Sequence, residues 1–500
     1  MIRRRPGIIF ITGMWVIVIL CAIVLIFARS MRTEVAASSN RFSVQQANAV
    51  ELGAEQYVLA AVDGCKGDAV TVLATPAEQI PIGNGYFWIL QTYADNDYTY
   101  AFGITDESSK VNLNFSDAIS SNNIHPSLTA LPGLNGSQDV ADSIVLWASG
   151  LSASKLTSGQ GADTNYYQSL QRPYTLKGTA FESVEELFLV SRQDVTDQLM
   201  YGSDLDHNGM LDDNEQKVAG SLTTAFNAAS DTTRGIFPFI TVWGKESNPP
   251  KNPATDVTRV NVITVIPGSQ LATIKAKLMP VLADLSLTTQ NSIIQKAKSP
   301  LVPGLFKNVL DFAGRTGIKP EDFTTVAPNL KWTDQPTLNG LINVNTASQQ
   351  VLATLPSVNA DIAASLVMAR EDWLNSGGVS GGSGASPAGH STSYGWLLNT
   401  QGTTPLLTLT QKQRIGQLIT AHSYFYSADI VAVSGEGRGF KRVRIVVNAT
   451  NSPPVIIYRK DLTKLGWPLS PDILTALRKG QPMPAASGYG TGGANGLGQF

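Results

Sequence analysis

Five hundred residues, 53.4 kDa and 43% apolar side chains suffice for several packed domains and exclude a wholly disordered chain. Charged residues are only 15%, and 37 Lys and Arg against 39 Asp and Glu leave a net charge of −2, so no electrostatic pull toward nucleic acid is expected. Two cysteines, Cys21 and Cys65, and four histidines cannot furnish a Cys/His zinc cluster or a disulfide framework.

From Ile8 to Ala28 the chain carries no charge; as a helix it spans roughly 31 Å, about one bilayer core. Arg3, Arg4 and Arg5 precede it and predict a cytoplasmic N-terminus with the remainder exported. Arg29, Arg32 and Glu34 follow in place of a small-residue cleavage site, so the segment reads as a retained anchor and not a secretory signal. No proline interrupts Ile8 to Val62. Ala47, Val50, Ala54, Val58 and Ala61 recur at helical spacing, with Asn48, Glu51, Glu55 and Gln56 expected on other faces. Asp63-Gly64 supplies a stop. The expectation is one helix of about 55 residues, membrane-spanning over 8–28 and periplasmic over 29–62.

That layout resembles the N-terminus of type IV pilins and type II secretion pseudopilins. The resemblance implies a leader over 1–7, cut by a prepilin peptidase between Gly7 and Ile8. Major pilins carry Glu at the fifth mature position, where counting from Ile8 places Thr12. The K-type minor pseudopilin of type II secretion is the member type that lacks this Glu.

Beyond the helix, Tyr86 to Leu90 and Tyr98 to Ile104 read as strands, and strand signals return at Tyr424 to Val433, Lys441 to Val447 and Val455 to Tyr458. An early hairpin and late strands imply a sheet interrupted by another domain. The expected division is sheet over 63–115, a helical insert over 116–410, a return to the sheet over 411–470 and a Gly/Pro-rich tail over 471–500. Asn375 to Ser393 and the stretch from Gly480 onward are low in complexity and read as flexible.

Two imperfect copies of one pattern lie in the insert. Val111-Asn112-Leu113-Asn114 precedes Leu131-Pro132-Gly133-Leu134 and an apolar helix from Val140 to Trp147. Ile342-Asn343-Val344-Asn345 precedes Leu355-Pro356-Ser357-Val358 and a helix from Ile362 to Ala369. Each resembles a helix-hairpin-helix module, the second over 342–374. Such modules often grip a phosphate, but Ser357 stands where the hairpin glycine belongs, and only Arg370 offers a cation downstream. Protein packing is the better reading.

The resemblance to K-type minor pseudopilins extends over most of the chain. It is carried by Asp106 to Asn114, Phe181 to Leu187, Ile342 to Ala347, and Arg459-Lys460-Asp461-Leu462 through Gly466-Trp467-Pro468.

The twelve residues from Asp204 to Glu215 fit the calcium-loop pattern D-x-[DN]-x-[DN]-G-x5-E at every specified position. Asp204, Asp206 and Asn208 offer side-chain oxygens and Met210 a carbonyl. Asp212 offers a direct or water-borne oxygen, Glu215 a bidentate carboxylate, and Gly209 permits the turn. A structural Ca2+ is therefore expected. Enzyme motifs are weaker. Gly378-Val379-Ser380-Gly381-Gly382 fits a nucleophile elbow but sits in a Gly/Ser stretch instead of a strand-to-helix turn. Gly488 to Gly493 fits G-x-G-x-x-G without the βαβ context that the motif needs. His390 and His422 lie in no recognisable triad context.

The combined expectation is an α+β protein: a long N-terminal transmembrane and pilin helix with a small antiparallel sheet, interrupted by a large, mostly α-helical domain holding helix-hairpin-helix-like repeats. The resemblance implies a non-enzymatic minor pseudopilin at the tip of the type II secretion pseudopilus, supporting export of folded proteins. It would be single-pass in the bacterial inner membrane, with its bulk periplasmic. Implied partners are other minor pseudopilins, the major pseudopilin, the prepilin peptidase and the membrane, with no nucleic acid. The rival readings are a minor component of a type IV pilus, a membrane-tethered periplasmic binding module and a tethered hydrolase.

Overall fold

α1, Pro6–Val62, is one unbroken helix of 57 residues, roughly 85 Å long. Its lower part, from Phe10 through Val35, exposes large apolar side chains on every face and is a candidate membrane span by length and composition. Its upper part buries a single stripe, Ala47, Val50, Ala54, Val58 and Val62. The same helix thus changes from all-round apolar to amphipathic as its surroundings change. The computed structural model describes residues 6–91, 101–114, 127–131, 134, 137–149, 161–190, 197–208, 215, 235–300, 302–377, 390–401 and 404–484.

The stripe lies on an antiparallel sheet. Its strands are β1 (Ile80–Ile82), β2 (Gly85–Gln91), β3 (Ala101–Phe102), β4 (Thr105–Asp106), β5 (Phe425–Ser434), β6 (Phe440–Asn448) and β7 (Val455–Asp461). The order is β1-β2-β5-β6-β7, with β3 paired to β2 and β4 to β5. The early strand β2 therefore lies beside the late strand β5, with Ile89 opposite Ile430. Phe87, Ile89, Ala428, Ile430, Ala432, Val443, Ile445 and Val447 face α1. Trp88, Leu90, Val431 and Val433 pack on the other side with Leu469 and Ile473. The β5–β6 turn passes so close to α1 that a side chain at Gly439 would meet the Ser43 backbone at 2.6 Å. This is the α+β architecture expected from sequence.

The insert holds three copies of one unit among the described residues, where the sequence pattern showed two. Val111–Asn112 pairs in parallel with Ile240–Thr241, Val260–Asn261 with Leu330–Lys331, and Ile342–Asn343 with Ile419–Thr420. In each copy the Asn side chain accepts from the N–H two residues on: Asn114 at 2.8 Å, Ile263 at 3.2 Å and Asn345 at 3.1 Å. A longer helix follows: α2 (Gln138–Ser149), α3 (Leu287–Lys298) and α4 (Ala360–Asn375). The middle copy escapes a sequence search because its motif, Val260-Asn261-Val262-Ile263, lacks the second Asn. The first and third copies share a core, whereas the middle copy has its own around Ile274, Ile294, Phe312 and Phe323.

Some sequence boundaries move. Residues 411–421, expected in the returning sheet, complete the third copy through the helix Leu409–Ile415 and the Ile419–Thr420 pairing. Part of the expected tail is α5, Pro471–Lys479, whose Ile473 is buried against the sheet and whose end is capped by Gly480 at φ +64. The nucleophile-elbow match (378–382), the G-x-G-x-x-G match (488–493) and most of both expected flexible stretches, 378–389 and 485–500, lie outside the described residues. Ser357 takes φ +66, the left-handed conformation a hairpin glycine would adopt. Arg370 is buried and donates to the Val344 and Ala347 carbonyls, so its charge does not face a phosphate.

Candidate functional site

The acidic loop begins just after the short helix Asp197–Tyr201. Asp204, Asp206 and Glu215 each offer a carboxylate oxygen within 4.8 Å of the others. Glu215 Oε1 accepts from the N–H of Leu205 at 2.7 Å and of Asp206 at 3.3 Å, which closes the loop on itself. The Asn208 N–H donates to Asp204 Oδ1 at 3.0 Å and Asp206 Oδ1 at 2.9 Å. Asp204, Asn208 and Glu215 are buried. Burial, then the neighbouring Asp204 carboxylate, pushes Asp206 up to about 8, with Glu215 adding to the rise and Arg442 opposing it. The rise reflects crowded carboxylates in a buried place, and hard oxygen donors of this kind suit a divalent cation. Of the sequence-selected ligands, the structure brings together Asp204, Asp206, Asn208 and Glu215. Gly209, Met210 and Asp212 lie outside the described residues.

The loop is strapped to the sheet by a residue the sequence reading missed. Arg442, fully buried on β6, donates to the Asp206 carbonyl at 2.8 Å and the His207 carbonyl at 2.6 Å. The same guanidinium grips Asp429 on β5 through Nε at 3.0 Å and Nη2 at 2.9 Å, and Arg444 reaches that carboxylate at 2.9 Å. Burial alone would raise the Asp429 carboxyl, but Arg442 and Arg444 hold it below the usual range. Asn208 Nδ2 adds a bond to the Pro468 carbonyl at 3.0 Å, tying the loop to the chain before α5. His207, at φ +57, stacks on Tyr201 with ring centroids 3.7 Å apart. Burial, then Arg444 and Arg442, pushes its imidazole down to about 4, so the ring is neutral at physiological pH. Nothing local in sequence marks Arg442; the only signal is a charged residue inside a β-branched strand.

A second cluster fixes α1. Glu51 and Glu55, expected on faces away from the buried stripe, are both buried, and Arg459 on β7 explains why. Its Nε donates to Glu55 at 2.6 Å and its Nη2 to Glu51 at 2.7 Å. Burial, with the hydrogen bond and charge of Glu55, raises Glu51 to about 7.

Between sheet and insert lies a cavity of about 150 Å³. Lys110 pairs with Glu107 at 2.7 Å and Arg444 with Asp429 at 2.9 Å, so these lining cations are already compensated. Asp106, beside it on β4, accepts from Asn343 at 2.9 Å and Thr346 at 2.6 Å, and so joins sheet to insert. Gly7, Ile8 and Thr12 all lie at the start of α1. His422 Nδ1 stands 3.7 Å from Glu246.

No family model matches the chain, and no curated protein matches it. Among solved structures it is similar to a chain of the GspK–GspI–GspJ complex from the enterotoxigenic Escherichia coli Type 2 Secretion System. The two share 10% identity over 85% of this chain and 98% of that one, with a TM-score of 0.32.

Proposed function

We propose that the chain is a K-type minor pseudopilin of a type II secretion system, a structural subunit and not an enzyme. The observation that carries this is α1: one helix with an all-round apolar lower part, and an upper part seated on a sheet that a large helical insert interrupts. The lower part suits a bilayer, leaving the sheet and insert in the periplasm of the inner membrane's outer side. Prepilin peptidase cuts at Gly7/Ile8, and the mature helix joins other minor pseudopilins above the major pseudopilin. Thr12 supports a tip position, because a buried carboxylate with no subunit above it to supply a counter-charge costs several kcal/mol and a hydroxyl does not.

The native N-terminus tests this. Mass analysis of the membrane-extracted protein is expected to begin at Ile8, and Gly7→Leu to leave an uncleaved, membrane-bound form. A native start at Met1, or beyond Ser30, overturns it. Regular cross-links between copies along a filament overturn the tip position.

We also propose that Asp204, Asp206, Asn208 and Glu215, with Met210 and Asp212, hold a structural Ca2+. The gathered carboxylates support it. Calcium at about 10⁻³ M is expected to raise the melting temperature, and Asp204→Ala with Glu215→Ala to abolish the rise. An unchanged melt, or the same response from the double variant, rules the site out.

A further inference from the structure

The middle repeat differs from its two sisters in attachment and in charge. The first and third copies pack on one another and reach the sheet through Asn343 and Thr346 to Asp106, and through Thr241 to Glu107. The middle copy closes its own core and leans on the third copy, through its helix Val309–Thr316 against Leu409–Ile415. From Val260 to Lys331 it carries eight Lys and Arg against four Asp and Glu, in a chain whose total charge is −2. One Arg and one Asp of that count cancel inside, since Arg315 and Asp311 are buried 3.4 Å apart. That leaves seven lysines against three acids, Asp284, Glu321 and Asp322. Lys275, Lys277, Lys296 and Lys307 are exposed and Lys298 half-buried, and none pairs with a carboxylate among the described residues.

Two of them, Lys277 and Lys298, flank an exposed aliphatic loop. Lys277 Nζ donates to the Thr264 carbonyl at 2.6 Å, and the Gly268 N–H donates to the Lys298 carbonyl at 2.8 Å, so the loop bearing Ile266 lies between them. The neighbouring loop carries Val302 and Leu305. Arg315, buried beneath, donates to the carbonyls of Val302, Gly304 and Leu305. Ile266 and Leu305 are each 54% exposed and Val302 42%. A buried guanidinium thus spends its donors holding an exposed apolar loop in one shape. The loop is therefore held in one shape before any partner arrives, which lowers the ordering cost of docking.

We propose that this face of the middle repeat docks an acidic protein, with Ile266, Val302 and Leu305 at the contact centre and Lys277 and Lys298 at its rim. The chemistry is diffuse: lysine offers point charges on flexible stems, with no fork for bidentate recognition. The contact is therefore fast to form, weak and sensitive to salt. A protein suits it better than the bilayer around α1. The insert leaves the sheet beside the upper end of α1, where the Ser423 N–H donates to the Gly67 carbonyl at 3.0 Å, while the opposite end of the sheet touches Ser43. The helix rises roughly 50 Å between Ala28 and Val62.

The test uses the full chain in an uncharged detergent and a labelled amphipathic Glu/Leu peptide as the acidic probe, with its Gln/Leu counterpart as control. Binding is expected for the Glu/Leu peptide alone, and to weaken about tenfold between about 50 and about 300 mM salt. Lys277→Glu with Lys298→Glu should weaken it about tenfold at low salt, while Lys464→Glu with Lys479→Glu leaves it within about twofold. Leu305→Ser should weaken it about threefold with the salt dependence unchanged. Equal binding of the Gln/Leu peptide, or equal loss in the two lysine pairs, overturns the proposal. So does tighter binding to phosphatidylglycerol vesicles through Lys277 and Lys298, or salt-sensitive self-association that the same pair abolishes.

Discussion

Two ionic clusters fasten the sheet to its neighbours, and they are built with opposite imbalance. At Asp429 one carboxylate meets two guanidiniums, and the surplus of Arg442 goes into the Asp206 and His207 carbonyls of the insert. At Arg459 one guanidinium meets two carboxylates of α1, Glu51 and Glu55. The first holds its carboxyl ionised; the second leaves Glu51 close to protonation at neutral pH, raised to about 7. The difference teaches which joint is permanent. A surplus of buried donors can be satisfied by backbone carbonyls at any pH, whereas a surplus of buried carboxylate can be satisfied only by a proton or another cation.

The largest expected effect comes from the first cluster. Arg442→Met leaves Asp429 buried with Arg444 alone and strips two carbonyls of their donors, costing about 3–5 kcal/mol. Denaturant unfolding measures the loss. Hydrogen exchange is expected to speed up in 201–208 as well as in β5 and β6, and protection unchanged over 201–208 would break the strap. Arg459→Met should cost less, about 1–2 kcal/mol, because its side chain is 42% exposed and solvent already screens it. Its exchange signature belongs in 47–62 and β7, with the acidic loop unaffected.

The smallest effect depends on pH. Glu51 has a folded-state pKa of about 7 against 4.5 unfolded, so across that window the folded chain holds more of the proton. Its contribution to stability is complete below 4.5 and lost as pH rises through about 7. Glu51→Gln should therefore melt higher than the parent at pH 8, by on the order of 1 kcal/mol, and the gap should close toward pH 5. A gap that does not change with pH would show that Glu51 stays ionised. Asp429 runs the other way: its contribution is present above 3.8 and lost as pH falls below it.

What could be read from sequence was what neighbouring residues encode. The unbroken run without proline made α1, the β-branched runs made β5, β6 and β7, and six spaced oxygens marked the acidic loop, of which those of Asp204, Asp206 and Glu215 lie together. Helical period, strand alternation and loop motifs act within a dozen residues, so their causes lie in contiguous sequence. The middle repeat was hidden because the shared feature is a parallel pairing between residues 70 apart, Val260 and Leu330, while its side chains diverge. Glu51 and Glu55 looked solvent-facing because a helical wheel cannot foresee that β7 brings Arg459 across from 404 residues away. Arg442 likewise acquires its role only when the chain closes β2 against β5 and lays the insert over β6. A charge can be buried only where its partner arrives, and that arrival is decided by topology.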